Sequence, residues 1–295
     1  LIRWQIANAN GSSGTGVFYA SRSLEIVESR SRDFPQRISA LPVAVSGRLS
    51  RLTEVDRYEI LADQDGLITV ELFARRLGAD FLGVIEVHDG EGRLLCDLVD
   101  TPGQDGAVTF AVNAGKVYTV SLHDVDFRGD RAYVYRLAIR RGSRVVGMLP
   151  AAAQRGTTRE FEFIGPGLAS GKPVLETVRR SVAIPGDPQL VAFAYNLETP
   201  TGNVEVLMPV SDMSELVADQ VPVGATPATR QLAMLGGVTA RLSRQDDEHR
   251  YTWMAEKDQH YSLAAISRAI GFKRFCNIFD SRAELKLVCY GDVKL

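Results

Sequence analysis

The sequence predicts an all-β protein made of tandem β-sandwich modules, and three observations carry that expectation. Turn-forming residues recur every eight to twelve residues or so between short runs rich in β-branched and aromatic side chains. Within those runs apolar and polar residues alternate, the period of a half-buried strand. A block near residue 47 recurs near residue 240, and repetition at long period marks an array of supersecondary units.

Taken in order, the chain opens with Leu1-Ile2-Arg3-Trp4 in what reads as the middle of a strand, so residues 1–36 are expected to be the C-terminal part of a preceding sandwich. Gly11, Gly14 and Gly16 precede no helix signal and read as a hairpin loop, not a phosphate cradle. Residues 37–141 form the first complete module, punctuated by Asp63-Gln64-Asp65-Gly66, Asp89-Gly90-Glu91-Gly92, Thr101-Pro102-Gly103, Asn113-Ala114-Gly115 and Arg128-Gly129-Asp130. Alternation is clearest where Tyr118, Val120 and Leu122 share one face and where Ile68, Val70 and Leu72 do. About eight such runs fit a jelly-roll-like sandwich. Residues 142–225 repeat the style around Phe161, Phe163, residues 178–184, 190–197 and 204–210, and read as an Ig-like sandwich. Residues 226–295 begin a second jelly-roll-like module that stops before its final strand pair. The helix-compatible stretch Tyr261-Ser262-Leu263-Ala264-Ala265-Ile266 is read as a strand there, because its counterpart at residues 68–73 is plainly strand-like.

The repeat itself aligns Arg48-Leu49-Ser50-Arg51 with Arg241-Leu242-Ser243-Arg244, then Arg57-Tyr58 with Arg250-Tyr251, Ala62 with Ala255, Asp65 with Asp258, Arg75 with Arg268 and Gly78 with Gly271. The offset is 193 residues (241 against 48). Just ahead of each block, residues 21–27 align with 211–217 at an offset of 190 (211 against 21). One period is therefore a pair of domains, and the pattern is expected to extend in both directions.

Composition bounds the function. A hydrophobic fraction of 45%, a charged fraction of 24% and a mean hydropathy of -0.05 are those of a soluble folded chain. With 34 basic and 36 acidic residues interspersed, the net charge of -2 gives no electrostatic reason to hold nucleic acid or an anionic membrane. No apolar run is long enough to span a bilayer. Cys96, Cys276 and Cys289 form no metal-knuckle spacing; a hairpin turning near residues 280–283 would bring Cys276 opposite Cys289, as a bridge or as two small buried side chains.

The path Gly47-Arg48-Leu49, Val55-Asp56-Arg57-Tyr58, Phe73-Ala74-Arg75-Arg76-Leu77-Gly78, Val87-His88-Asp89-Gly90-Glu91-Gly92, Tyr118-Thr119-Val120 and Tyr133-Val134-Tyr135-Arg136-Leu137 resembles the bacterial pre-peptidase C-terminal domain. It is similar to versions found in tandem in large exported proteins of planctomycete-type bacteria. Gln154-Arg155-Gly156-Thr157-Thr158, leading into Phe163-Ile164-Gly165-Pro166-Gly167-Leu168, looks like the Ig-like inserts that accompany them. The resemblance implies a jelly-roll-like, exported module, often attached to secreted enzymes, and in some members binding calcium or an extracellular polymer.

Candidate chemistry is sparse. Asp97, Asp100 and Asp105, with Asp80, are clustered loop carboxylates of the kind calcium requires, although Asp is also the commonest turn and cap residue. Lys273 stands where the first module has Asp80. An EF-hand counted from Asp124 fails at its twelfth position, Tyr135, and Arg128-Gly129-Asp130 is a three-residue match that arises readily in hairpins. His88, His123, His249 and His260 show no zinc-protease spacing, there is no Gly-x-Ser-x-Gly elbow, and Asp56 is replaced by His249 in the second module. Tyr58, Tyr118, Tyr133 and Tyr135 are read as core before binding face, since Tyr118 lies on its strand's inward side. The expectation is a non-catalytic structural or adhesive segment of a secreted or cell-surface protein, in contact with other copies, neighbouring modules or an extracellular matrix. The alternative is an accessory targeting or substrate-binding region of an exported enzyme, calcium-dependent if the aspartates hold an ion.

Overall fold

Strands form where the alternation places them. The computed structural model describes residues 2–21, 23–29, 34–100, 105–218, 229–232, 236–241, 248–254, 273–281 and 284–292. The chain divides into two compact units, Leu1–Arg144 with Pro166–Glu176 and Glu198–Val204, and Val145–Gly165 with Thr177–Leu197 and Glu205–Leu295. The first unit starts with two nested antiparallel ladders, β1 (Ile2–Trp4) with β4 (Gly16–Phe18) and, inside them, β2 (Ala7–Asn8) with β3 (Gly11–Ser12). The glycines of this segment thus sit in a hairpin.

Ten strands follow: β5 (Leu24–Val27), β6 (Gln36–Ile38), β7 (Val43–Arg48), β8 (Asp56–Leu61), β9 (Gly66–Phe73), β10 (Gly83–Asp89), β11 (Leu94–Val99), β12 (Ala107–Val112), β13 (Val117–Asp124) and β14 (Val134–Arg141). They make two five-stranded sheets, ordered β11-β10-β13-β8-β6 and β12-β9-β14-β7-β5. From β7 onward every connection except the β10–β11 hairpin passes from one sheet to the other. A short 3-10 turn, Arg75–Leu77, lies between β9 and β10. β5 lies before residue 37, the expected start of the module, and β6 straddles it, yet both are hydrogen-bonded into the module, β5 parallel to β7 and β6 parallel to β8. Without them β7 and β8 would present open edges, which natural sheets cover or shorten.

The inward residues of both sheets share one core. Ile68, Val70 and Leu72 from β9 meet Tyr118, Val120 and Leu122 from β13, with Leu137 and Ile139 from β14 beside them. The outer faces differ. On the β9 sheet, Thr69 is fully buried and donates to the Gly142 carbonyl (2.9 Å), while Tyr19 packs on Phe73 with ring centroids 4.9 Å apart. On the β10 sheet, Arg57, Leu61, Leu95, Asp97 and Val99 are exposed, so one sheet is covered on both faces and the other presents a face to solvent.

β15 (Gly147–Leu149), β16 (Ala153–Gln154), β17 (Thr158–Pro166), β18 (Leu175–Ala183), β19 (Ala192–Thr199) and β20 (Gly202–Ser211), most of whose residues belong to the second unit, form two three-stranded sheets, β15-β17-β18 and β16-β20-β19. Phe163 from one stacks on Tyr195 from the other, centroids 5.6 Å apart, so these sheets also pack face to face. Then come β21 (Ser214–Val217), β22 (Thr229–Gln231), β23 (Gly236–Thr239), β24 (Glu248–Met254), β25 (Lys273–Ser281) and β26 (Glu284–Asp292). β21 runs parallel to β23, and β22 parallel to β24. β21 begins 190 residues after β5 (214 against 24), and β22 begins 193 after β6 (229 against 36). Next to β24 lies β26, in the place that β13 takes next to β8. The β25–β26 ladder sets Cys276 opposite Cys289; their side chains, and residues 261–266, fall outside the described ones.

Leu137, fully buried between the two sheets, tests the shared core. Leu137→Ala is expected to lower the unfolding free energy by about 2–5 kcal/mol, read from the shift of the urea midpoint at unchanged slope.

Candidate functional site

The loops at the ends of the first sandwich cannot reach the core, and their backbone N–H groups need other acceptors. Three carboxylates supply them. Asp105 accepts from the backbone N–H of Ala74 (2.9 Å), Arg75 (2.9 Å) and Arg76 (3.1 Å) and from the Arg76 Nε (3.1 Å), with its side chain wholly buried. Its backbone is left-handed, φ +63°, a conformation that Asp and Asn tolerate better than other residues with a side chain. Asp124 accepts from the backbone N–H of Leu82 (3.2 Å), Asp126 (3.1 Å) and Arg128 (3.0 Å) and takes the Arg128 guanidinium through Nε (3.0 Å) and Nη2 (3.1 Å). Glu54 accepts from the backbone N–H of Ser50 and Arg51, both at 2.7 Å.

The four aspartates read as calcium ligands are therefore divided. Asp100 meets Asp105, whose backbone N–H it accepts at 2.9 Å. Asp80 is exposed and pairs with Arg75 (2.7 Å). Asp97 lies on the solvent face of β11, opposite Glu86 on β10. Calcium takes a shell of about six to eight oxygens, whereas the Asp105 carboxylate is faced by four N–H donors, so the donor set there does not fit that ion. Among the described residues no three His, Cys, Asp or Glu side chains gather as a metal site.

A second polar cluster lies inside the sandwich. The Tyr135 hydroxyl donates to Asp56 (2.6 Å), reaches Glu28 (3.4 Å) and touches the Tyr58 hydroxyl. Burial, with Tyr58 and Asp56 alongside, pushes the Tyr135 phenol well above its ordinary range, so it remains a donor. Gly47 makes room for it, since a Cβ there would come within 2.3 Å of the Tyr135 hydroxyl. The other tyrosines are also committed: Tyr118 accepts the Asn113 N–H (2.9 Å) and Tyr133 stacks on Phe81, centroids 5.3 Å apart. Tyr58, Tyr118 and Tyr135 are buried in the core and Tyr133 packs against it.

The remaining candidates are likewise engaged. His123 stacks on Phe127 at 4.2 Å and bonds the Asp124 carbonyl through Nδ1, and His249 stacks on Tyr251. In the Arg128-Gly129-Asp130 loop the guanidinium is held by Asp124, and a Cβ on Gly129 would meet the Arg51 carbonyl oxygen at 2.1 Å. Burial and the neighbouring Asp97 push the Cys96 thiol up to about 11, leaving it a thiol at neutral pH. The role of Asp124 was missed from sequence, although an Asp four residues before an Arg, as in Asp124/Arg128 and Asp89/Arg93, was a usable signal.

Fold and site define an all-β sandwich protein whose loops are tied by buried carboxylates. No family model matches the chain, and no curated protein matches it. Solved structures show similarity, among them the following three. The pre-peptidase C-terminal domain of a collagenase from Bacillus anthracis is 14% identical, covers 38% of this chain and 100% of its own, and has a TM-score of 0.31. A periplasmic inhibitor of g-type lysozyme from Aeromonas hydrophila is 12% identical over 40% of this chain and 99% of its own, TM-score 0.29. A mutant of the corresponding inhibitor from Escherichia coli is 13% identical over 41% of this chain and 100% of its own, TM-score 0.24. The fold described above rests on strand pairing and the shared core.

Asp105→Ala is expected to cost about 3 kcal/mol, because it leaves buried N–H groups and a guanidinium without their acceptor; Asp105→Asn should cost less, and denaturant titration of the two variants checks the order. For Asp124, burial pushes the carboxyl up, but the hydrogen bonds from the Arg128 side chain and from three backbone N–H groups outweigh it, so its folded pKa is lowered from 3.8. A lowered folded pKa gives stability that is present above the unfolded value and lost as pH falls through the folded one. Urea midpoints measured downward from about pH 4 should therefore fall more steeply in the native chain than in Asp124→Asn.

Proposed function

We propose that this chain is a non-catalytic structural or adhesive segment of a secreted or cell-surface multi-domain protein, in which jelly-roll-like modules alternate with an Ig-like one. The observation that carries the reading is the return of one strand arrangement. β5 beside β7 and β6 beside β8 reappear as β21 beside β23 and β22 beside β24, at the offsets of the sequence repeat. Repetition of a scaffold serves reach and contact, whereas a catalytic site needs only one copy. The repeated position that is most chemical does not keep its chemistry: Asp56 bonds Tyr135, while its counterpart His249 stacks on Tyr251. The strand order supports the jelly-roll part. Numbered one to eight, β7 to β14 lie in the orders 6-3-8-1 and 5-4-7-2, the double Greek key of that fold.

Other copies, neighbouring modules or an extracellular polymer are the partners this reading implies, outside the cell or in its envelope. The test is sedimentation velocity of the full chain together with co-pelleting on fibrillar collagen and on insoluble polysaccharide. Self-association or pelleting is expected. An inert monomer would move the assignment to an accessory region of an exported enzyme, and hydrolysis of either polymer, abolished in Asp56→Asn, would overturn it.

A further inference from the structure

Among the described residues, the β10 sheet ends at β11, and that edge is chemically unfinished. Asp100 donates its backbone N–H to the Gly83 carbonyl (2.9 Å), so the alternation of an antiparallel ladder turns the main chain of Leu98 and Cys96 toward β10 and that of Val99 and Asp97 away from it, up to the register shift that leaves Leu95 unpaired between Cys96 and Leu94. Leu94, Leu95, Asp97 and Val99 carry exposed side chains, while Cys96 and Leu98 pack against the core. Leu95 and Val99 are 45% and 37% exposed. Asp97 and Val99 thus present open N–H and C=O groups on a strand whose exposed side chains are apolar on either side of Asp97.

Asp97 stands directly opposite Glu86. By the same alternation this is a non-hydrogen-bonded pair, the arrangement in which side chains come closest, and like charges directly opposite are destabilising. No described side chain pairs with either carboxylate, and the next residue on that face of β10 is His88. The other two edges that carry charge are balanced from within: Arg37 on β6 pairs with Glu59 (2.9 Å), and Glu25 on β5 pairs with Arg136 (2.6 Å). Edge strands are normally guarded by charge, Pro, a bulge or a covering segment; Leu94-Leu95-Cys96-Asp97-Leu98-Val99 has no Lys or Pro, its one charge is Asp97, and its register shift lies at Leu95, before the regular stretch from Cys96 to Val99.

We propose that the β11 edge is a docking site for an extended strand of another polypeptide, one that places a Lys or Arg opposite Asp97 and apolar side chains two positions to either side. The open main-chain groups of Asp97 and Val99 supply the ladder, the carboxylate pair takes the cation, and the exposed Leu95 and Val99 side chains cover the flanking apolar residues, which is recognition by strand addition. A second copy of this chain does not fit. In a symmetric antiparallel pair of β11 strands, residues on one face meet one another, so Asp97 would face Leu95, Val99 or another Asp97; Leu94–Val99 has no basic residue to offer, and the flanking Arg93 is already paired with Asp89 and Glu91. The proposal does not depend on the array reading.

The test uses the full chain and a probe labelled with fluorescein at its N-terminus through a Gly-Gly spacer, fluorescein-Gly-Gly-Thr-Val-Thr-Lys-Thr-Val-Thr-amide, followed by fluorescence anisotropy at low salt, against the same peptide with Glu in place of Lys. The Lys peptide is expected to bind about tenfold more tightly than the Glu peptide, to lose binding when its outward-pairing amides are N-methylated, and to yield its preference to the Glu peptide in Asp97→Lys. Asp97 is exposed, so that variant should keep the native far-ultraviolet circular dichroism. Equal binding of both peptides, binding of neither, survival of binding after N-methylation, or an unchanged preference in Asp97→Lys would each overturn the proposal. So would self-association of the native chain that Asp97→Lys abolishes.

Discussion

In a pleated strand, successive side chains point to opposite faces, so each sheet of the first sandwich can give only every second residue to the core. Everything else in that unit is arranged around this constraint. Leu72, Leu122 and Leu137, all fully buried, come from strands of both sheets, and because almost every connection from β7 to β14 crosses between the sheets, slipping one strand by a residue would move its apolar set outward and disturb strands on both sides. The register is therefore held by the whole core rather than by any one turn.

The same constraint explains where the charges went. Loops that cross from sheet to sheet run over the ends of the core, where no ladder partner is available, and a buried carboxylate can accept from several N–H groups at once. Asp105, Asp124 and Glu54 each do so at a different loop. In sequence such residues look like ligands, since acidic side chains on loops are also what a hard cation needs. The difference lies in what faces the oxygens, four N–H donors at Asp105, and donor direction is not written in residue spacing.

Much of the fold was legible for a physical reason: alternation is a local signal. The faces assigned to Tyr118, Val120 and Leu122 and to Ile68, Val70 and Leu72 are those that meet the core, and the turns at Asp63–Gly66, Asp89–Gly92 and Asn113–Gly115 separate strands as their composition implies. β5 and β6 were not placed, because four and three residues are too short a run to show a period, and parallel pairing with β7 and β8 is a long-range fact. The tie between Asp124 and Arg128 is local and could have been read. The cluster of Asp56, Tyr58 and Tyr135 joins residues 77 and 79 positions apart, and only the crossing topology brings them together.

The two sides of the sandwich are finished differently, and this asymmetry connects fold to function. On one side β5 and β6 close both sheets, and their charged residues Glu25 and Arg37 find partners on strands of the same module. That closing pair returns at β21 and β22 beside β23 and β24, so it travels with the stretch of sequence that recurs. On the other side the sheet ends at a strand with apolar residues around an uncompensated carboxylate pair. A scaffold selected only for stability would place a lysine at Asp97 or Glu86 and remove the repulsion at no cost to the core, since neither side chain faces it. Retaining two carboxylates on an otherwise apolar edge lowers stability locally and becomes intelligible when the missing cation arrives on another chain.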